Sequence, residues 1–86
     1  MPELCRFYGI IIRMYFKDHN PPHFHAEYSG MKAEYEIKTL NVIAGNLPNR
    51  AHALVLEWAS QHKEELIKNW NKASIPDSLD KIEPLN

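Results

Sequence analysis

Hydrophobic and polar positions alternate through most of the first half of the chain. From Phe7 to Phe16 the segment is rich in Ile, Tyr, Phe and Met, residues that favour a pleated, half-buried surface. A period of two places Ile10, Ile12, Met14 and Phe16 on one face, and Ile11, Arg13, Tyr15 and Lys17 on the other. Lys17 to Pro22 then reads as a loop. Each proline restricts the residue before it to extended geometry, so Asn20 and Pro21 cannot continue a helix. A second strand is expected from about His23 to Tyr28, with Phe24, Ala26 and Tyr28 on one face and His23, His25 and Glu27 on the other. Ser29-Gly30 is a tight-turn signal. A third strand, about Lys32 to Lys38, turns Lys32, Glu34, Glu36 and Lys38 outward and Ala33, Tyr35 and Ile37 inward. A short fourth strand fits Leu40 to Ala44, closed by Gly45.

The period then changes. Ala51, Leu54, Val55, Trp58, Ala59, His62, Leu66 and Trp70 recur at helical spacing, and Glu57, Lys63, Glu64 and Lys68 lie mostly off that stripe. Pro48 suits a first helical turn. One long helix over about 48–73 is expected, stopped by Ile75-Pro76, with an extended tail over 75–86. The expected architecture is α+β: an antiparallel meander of three to four strands within about 7–44, and one long C-terminal helix packed on one face. Trp58 and Trp70 would pack on Ile10, Ile12, Met14, Phe24, Tyr28, Tyr35 and Ile37. Antiparallel sheets commonly leave their other face to water, and here that face carries the unusual residues.

Composition narrows the function classes. A length of 86 residues suits one domain, 1–86, with a core small enough that partner binding or a homodimer is a natural supplement. The formal charge is −1, so nothing draws the chain as a whole to nucleic acid or an anionic membrane; such contact would need a local cluster of Lys and Arg. One cysteine, Cys5, excludes an internal disulfide and a cysteine-based zinc site, and next to an apolar strand it reads as a small hydrophobe. The N-terminus lacks a signal-peptide pattern, and the longest apolar run, Ile10-Ile11-Ile12, is far too short for a membrane span. A cytoplasmic, reducing compartment is the default expectation.

Candidate chemistry concentrates in Asp18-His19-Asn20-Pro21-Pro22-His23-Phe24-His25-Ala26-Glu27-Tyr28, where three of the five histidines lie within seven residues. Imidazole changes charge near neutral pH and is a frequent transition-metal ligand. If the first two strands pair as a hairpin, one outer face gathers Arg13, Tyr15 and Lys17 with His23, His25 and Glu27. Same-face neighbours on a strand stand roughly 6.5–7 Å apart, so His23 and His25 reach one small object. One expectation is metal-independent acid–base cleavage of RNA. His23 and His25, assisted by Tyr15 or Glu27, would move protons, and Arg13 and Lys17, with His19 and Asp18 in the loop, would face the phosphate. The alternative is a divalent metal such as Zn on His19, His23 and His25, with Asp18 or Glu27. The bland alternative is a solvated or protein-binding face, on which the prolines only set a loop. His62 is expected as a core or boundary histidine bonded to a backbone carbonyl, His52 as solvent-facing, and the Lys32/Glu34/Glu36/Lys38 row as a solvated strand face.

Phe7-Tyr8-Gly9-Ile10-Ile11-Ile12-Arg13-Met14-Tyr15, the segment Asp18 to His25, Leu47-Pro48-Asn49-Arg50, Glu57-Trp58 and Asn69-Trp70 together resemble a small bacterial family catalogued as domain of unknown function 4160. His-Asn-Pro-Pro-His-Phe-His is the most specific part of that resemblance. It implies the toxin component of a type II toxin–antitoxin pair, neutralised by a small cognate antitoxin encoded nearby. It also implies His19, His23 and His25 as functional residues, with Arg13 and Tyr15 next. The family brings no established reaction, so ribonuclease activity is an expectation from residue chemistry alone. The partner could meet the histidine face, or an open sheet edge by strand addition. The rival expectation is a non-enzymatic binding or regulatory module whose histidine face docks a protein, nucleic acid or a metal ion.

Overall fold

The computed structural model describes residues 3–15, 19–73 and 79–86. Five strands form one antiparallel meander in the order β1-β2-β3-β4-β5. They are β1 (Glu3–Phe7), β2 (Ile10–Arg13), β3 (His23–Tyr28), β4 (Met31–Glu36) and β5 (Val42–Gly45). Two helices follow, α1 (Asn49–Ser60) and α2 (Lys63–Lys72). The α+β class and the antiparallel meander stand. The strand count and the single long helix are corrected.

The additional strand comes from a turn inside the segment expected as one strand. Tyr8 has φ 50° and Gly9 φ 81°. Positive φ at both central residues is the requirement of a type I′ hairpin turn, whose twist matches the flanking strands. Phe7 therefore pairs with Ile10, and β1 folds back on β2. Tyrosine is an unusual occupant of the left-handed region, which is why the pattern read straight through it. Ser29-Gly30 repeats the device, with φ 51° and 84°, and pairs Tyr28 with Met31. A register shift between Glu3 and Cys5 marks a bulge in β1, and Leu4 and Cys5 are consecutive buried residues there. Burial pushes the Cys5 thiol up to about 12.

The helical stripe continues in phase across a break at Gln61 and His62. His62 caps α2 with φ −130° and ψ 23°, outside the helical region. Its Nδ1 lies 2.6 Å from Glu65 Oε1, so the imidazole donates to a carboxylate in the first turn of α2, where acidic groups suit the helix dipole. The expected backbone carbonyl is not the partner found. Trp58 also meets the His62 ring, with centroids 5.3 Å apart.

Ile10, Ile12, Met14, Phe24, Tyr35, Ile37, Val55, Trp58 and Leu66 are fully buried, and Trp70 and Tyr28 are partly buried beside them. Phe24 stacks on Tyr35 across β3 and β4 at 5.4 Å, and meets Trp58 edge-on at 5.9 Å. His52, expected in solvent, stacks on Tyr35 at 5.6 Å, and its Nδ1 lies 2.8 Å from the phenol oxygen.

Residues 79–86 strap this core without regular structure. Ile82 is buried, and its amide donates to the Leu4 carbonyl on the outer edge of β1. Trp58 Nε1 donates to the Glu83 carbonyl at 2.8 Å. Asn69, buried in α2, makes two bonds to Asp80: Nδ2 donates to its carbonyl, and its amide donates to Oδ1. Among the described residues, no helix is long and apolar enough to cross a membrane.

Candidate metal centre

The site begins with a register. Ser29-Gly30 closes β3 on β4 with Tyr28 opposite Met31, and each step away preserves the pairing, so Glu27 faces Lys32 and His25 faces Glu34. On the other side of β3, Arg13 faces His25. Arg13, His25 and Glu34 thus form one row across three strands, on the face turned away from Phe24 and Ala26. His23, two residues earlier on β3, shares that face.

His23 is only 4% exposed. Its ring lies 5.2 Å from that of Trp70 and 5.2 Å from that of His25. The Trp70 contact overturns the simple picture of an outer face left to water, because the start of β3 is covered. The loop before it is anchored by the Pro22 carbonyl, which accepts from the Ile37 amide at 3.0 Å. Asn20–Pro21 is a cis peptide.

The chemistry of His23 follows from its partners. Nδ1 lies 2.7 Å from the Pro21 carbonyl oxygen. A carbonyl only accepts, so Nδ1 carries the hydrogen. Nε2 then offers its lone pair or a second proton, and it points at Glu34 Oε1, 3.5 Å away. An imidazole whose far nitrogen donates to a backbone carbonyl is the usual outer arrangement of a metal-bound histidine. His23, His25 and Glu34 each offer one ligand atom, and these three atoms lie within 4.8 Å of one another. Metal–ligand distances near 2.0–2.1 Å place tetrahedral ligands about 3.3 Å apart. The His23–Glu34 separation already approaches that edge. The widest separation allowed by the cluster would close by about 1.5 Å, which small side-chain rotations supply.

The other sequence candidates divide. Tyr15 meets the His25 ring edge-on at 4.4 Å, so it borders the cluster. Arg13 Nε donates to Glu27 Oε2 at 2.6 Å, and both side chains are about three-quarters or more covered. That ion pair holds Glu27 to Arg13. His19 is exposed in the loop and is not one of the three converging residues. Lys17 and Asp18 lie outside the described residues. Glu34 is the member that sequence reasoning missed. The signal was present: a two-residue Ser-Gly turn fixes which residue opposes His25.

The family described as "Domain of unknown function (DUF4160)" matches residues 9–71. No curated protein and no solved structure matches the chain. The match spans both His23 and His25 on β3 and Glu34 on β4, and its description assigns them no role.

Proposed function

The chain belongs to the DUF4160 family, and from the geometry of its outer sheet face we propose that it binds a divalent transition metal of the zinc class through His23, His25 and Glu34. The carrying observation is the His23 ring, fixed through Nδ1 to Pro21 and turned with Nε2 toward a carboxylate. Two imidazole nitrogens and one carboxylate oxygen suit zinc and its neighbours. Three protein ligands leave a fourth position for water or a small ligand, the pattern of sites that do chemistry rather than only brace a fold. Arg13, one of the two expected phosphate holders, and Glu27, an expected assistant in proton transfer, are closed on one another, which favours the ion over metal-free phosphate chemistry.

The test is metal content and affinity. Protein purified without chelator and analysed for Zn, Ni, Fe and Mn is expected to carry close to one equivalent. Glu34→Gln and His25→Ala are expected to weaken binding about 10–100-fold or more, while far-ultraviolet circular dichroism stays that of the wild type. His19→Ala is expected to bind as the wild type does. Wild type without affinity for any of these ions ends the proposal.

A second reading keeps the same side chains without the ion. His25, half-buried with Tyr15 against its ring, would act as a proton carrier in RNA cleavage, and the protein would serve as the toxin of an antitoxin-controlled pair. Its signature is RNA cleavage that survives chelator and is lost in His25→Ala, together with slowed growth when the chain is expressed without a partner.

A further inference from the structure

Beside the metal ligands lies a small open cavity of about 180 Å³, lined by His25, Glu34, Lys32, Ala33, Ala44 and Gly45. That is room for about six waters, enough for one phosphate group. Small residues keep it open. Ala44 sits opposite Glu34 on β5, and Gly45 approaches β4 so closely that an added Cβ would lie 2.2 Å from the Lys32 carbonyl.

The charges around the cavity are unequal in their commitments. Lys32 faces Glu27 across β3 and β4, but Glu27 is held by Arg13 at 2.6 Å. Among the described residues, no hydrogen bond or ion pair engages the Lys32 ammonium. Lys32 and Glu34 are same-face neighbours on β4, roughly 6.5–7 Å apart along the strand. Lys32 is therefore an uncommitted cationic residue in the lining of the same cavity as His25 and Glu34.

We propose that this cavity binds a phosphate-class oxyanion, one oxygen on the fourth position of the metal and another against the Lys32 ammonium. The inference rests on an ion at His23, His25 and Glu34. The two Ala and one Gly beside it admit a compact tetrahedral group, and Lys32 supplies a point charge of the kind that holds phosphate. Arg13, a phosphate holder expected from the sequence, is held by Glu27 instead.

Cobalt(II) in place of the native ion gives a visible absorption band that reports its ligands. The cobalt-loaded full chain is titrated with inorganic phosphate and, separately, with phenyl phosphate, to distinguish the free ion from an ester as the source. Saturable movement of the band by either is the expected result. Lys32→Gln is expected to take up cobalt as the wild type does but to bind the anion about tenfold more weakly, and Lys32→Arg to recover most of that loss. If cobalt binds and neither anion moves its band, the oxyanion site is refuted and the metal site stands. If Lys32→Gln titrates like the wild type, the site is also refuted. If no cobalt band forms, the metal site and the anion site fall together.

Discussion

Stacked between Phe24 and His52, Tyr35 is fully buried, and burial raises its phenol from an ordinary value of 10.0 to about 12. The unfolded chain would ionise this phenol first. The preference of the fold for the neutral ring is therefore complete below about pH 10 and is lost as pH rises from there toward 12. The expected result is a tyrosinate absorbance step, absent from Tyr35→Phe, that emerges nearer pH 12 than pH 10; a step near 10 overturns it. At this scale the sequence marked His23, His25 and Tyr15 correctly as neighbours. It passed over Glu34, because an acidic residue in an alternating strand has the composition of any solvated face. It also assigned Arg13 to a ligand, when the nearer Glu27 takes it. Pairwise distances decide such partnerships, and alternation supplies only the shared side.

The elements depend on turns more than on strand propensity. Gly9 holds φ 81° in the β1–β2 hairpin, and an added Cβ would meet only the Tyr28 ring at an ordinary 3.4 Å. Gly9→Ala is thus a test of backbone strain with little steric conflict. It is expected to cost about 1–2 kcal/mol, measured by urea unfolding with an unchanged m-value; a change near zero would show that the turn relaxes at no cost. Ser29-Gly30 was legible as a turn because Ser-Gly is a familiar pair for it, whereas Tyr8-Gly9 was hidden by a residue that favours strands. The helix break was hidden differently. Trp58, His62 and Leu66 follow one another at four-residue spacing, so the apolar stripe crosses Gln61 and His62 without a phase slip. The sign of a new start lay in polar residues: Glu64 and Glu65 in the first turn after the cap, as expected of a helix N-terminus.

Across the whole molecule, the C-terminal strap ties helices to sheet. It joins Leu4 of β1, Trp58 of α1 and Asn69 of α2 through Ile82, Glu83 and Asp80. Asn69→Ala removes both bonds to Asp80 from a buried position. It is expected to destabilise by about 2–3 kcal/mol and to speed amide exchange at Ile82 more than in β3. Uniform acceleration at both would show instead that the strap and the sheet open together. The pattern predicted an extended tail over 75–86 but no place for it, and Leu79, Ile82 and Leu85 are tail residues that pack on the core. Where it docks depends on β1, a strand that lies almost wholly before the first segment the pattern marked. The meander and the helical cover were legible because each element's period survives in the chain. The two interruptions were not: Tyr8 is a residue that favours strands, and the apolar stripe crosses His62 in phase.

All three proposed donor residues belong to one hairpin, within the twelve residues from His23 to Glu34. So short a span costs little entropy to close, while a two-stranded ribbon alone is barely stable in water. An ion captured there would clip the ribbon before β1, the helices or the strap arrive, and so lend the chain an early nucleus. Refolding started with zinc present would then run faster than refolding to which zinc is added afterwards.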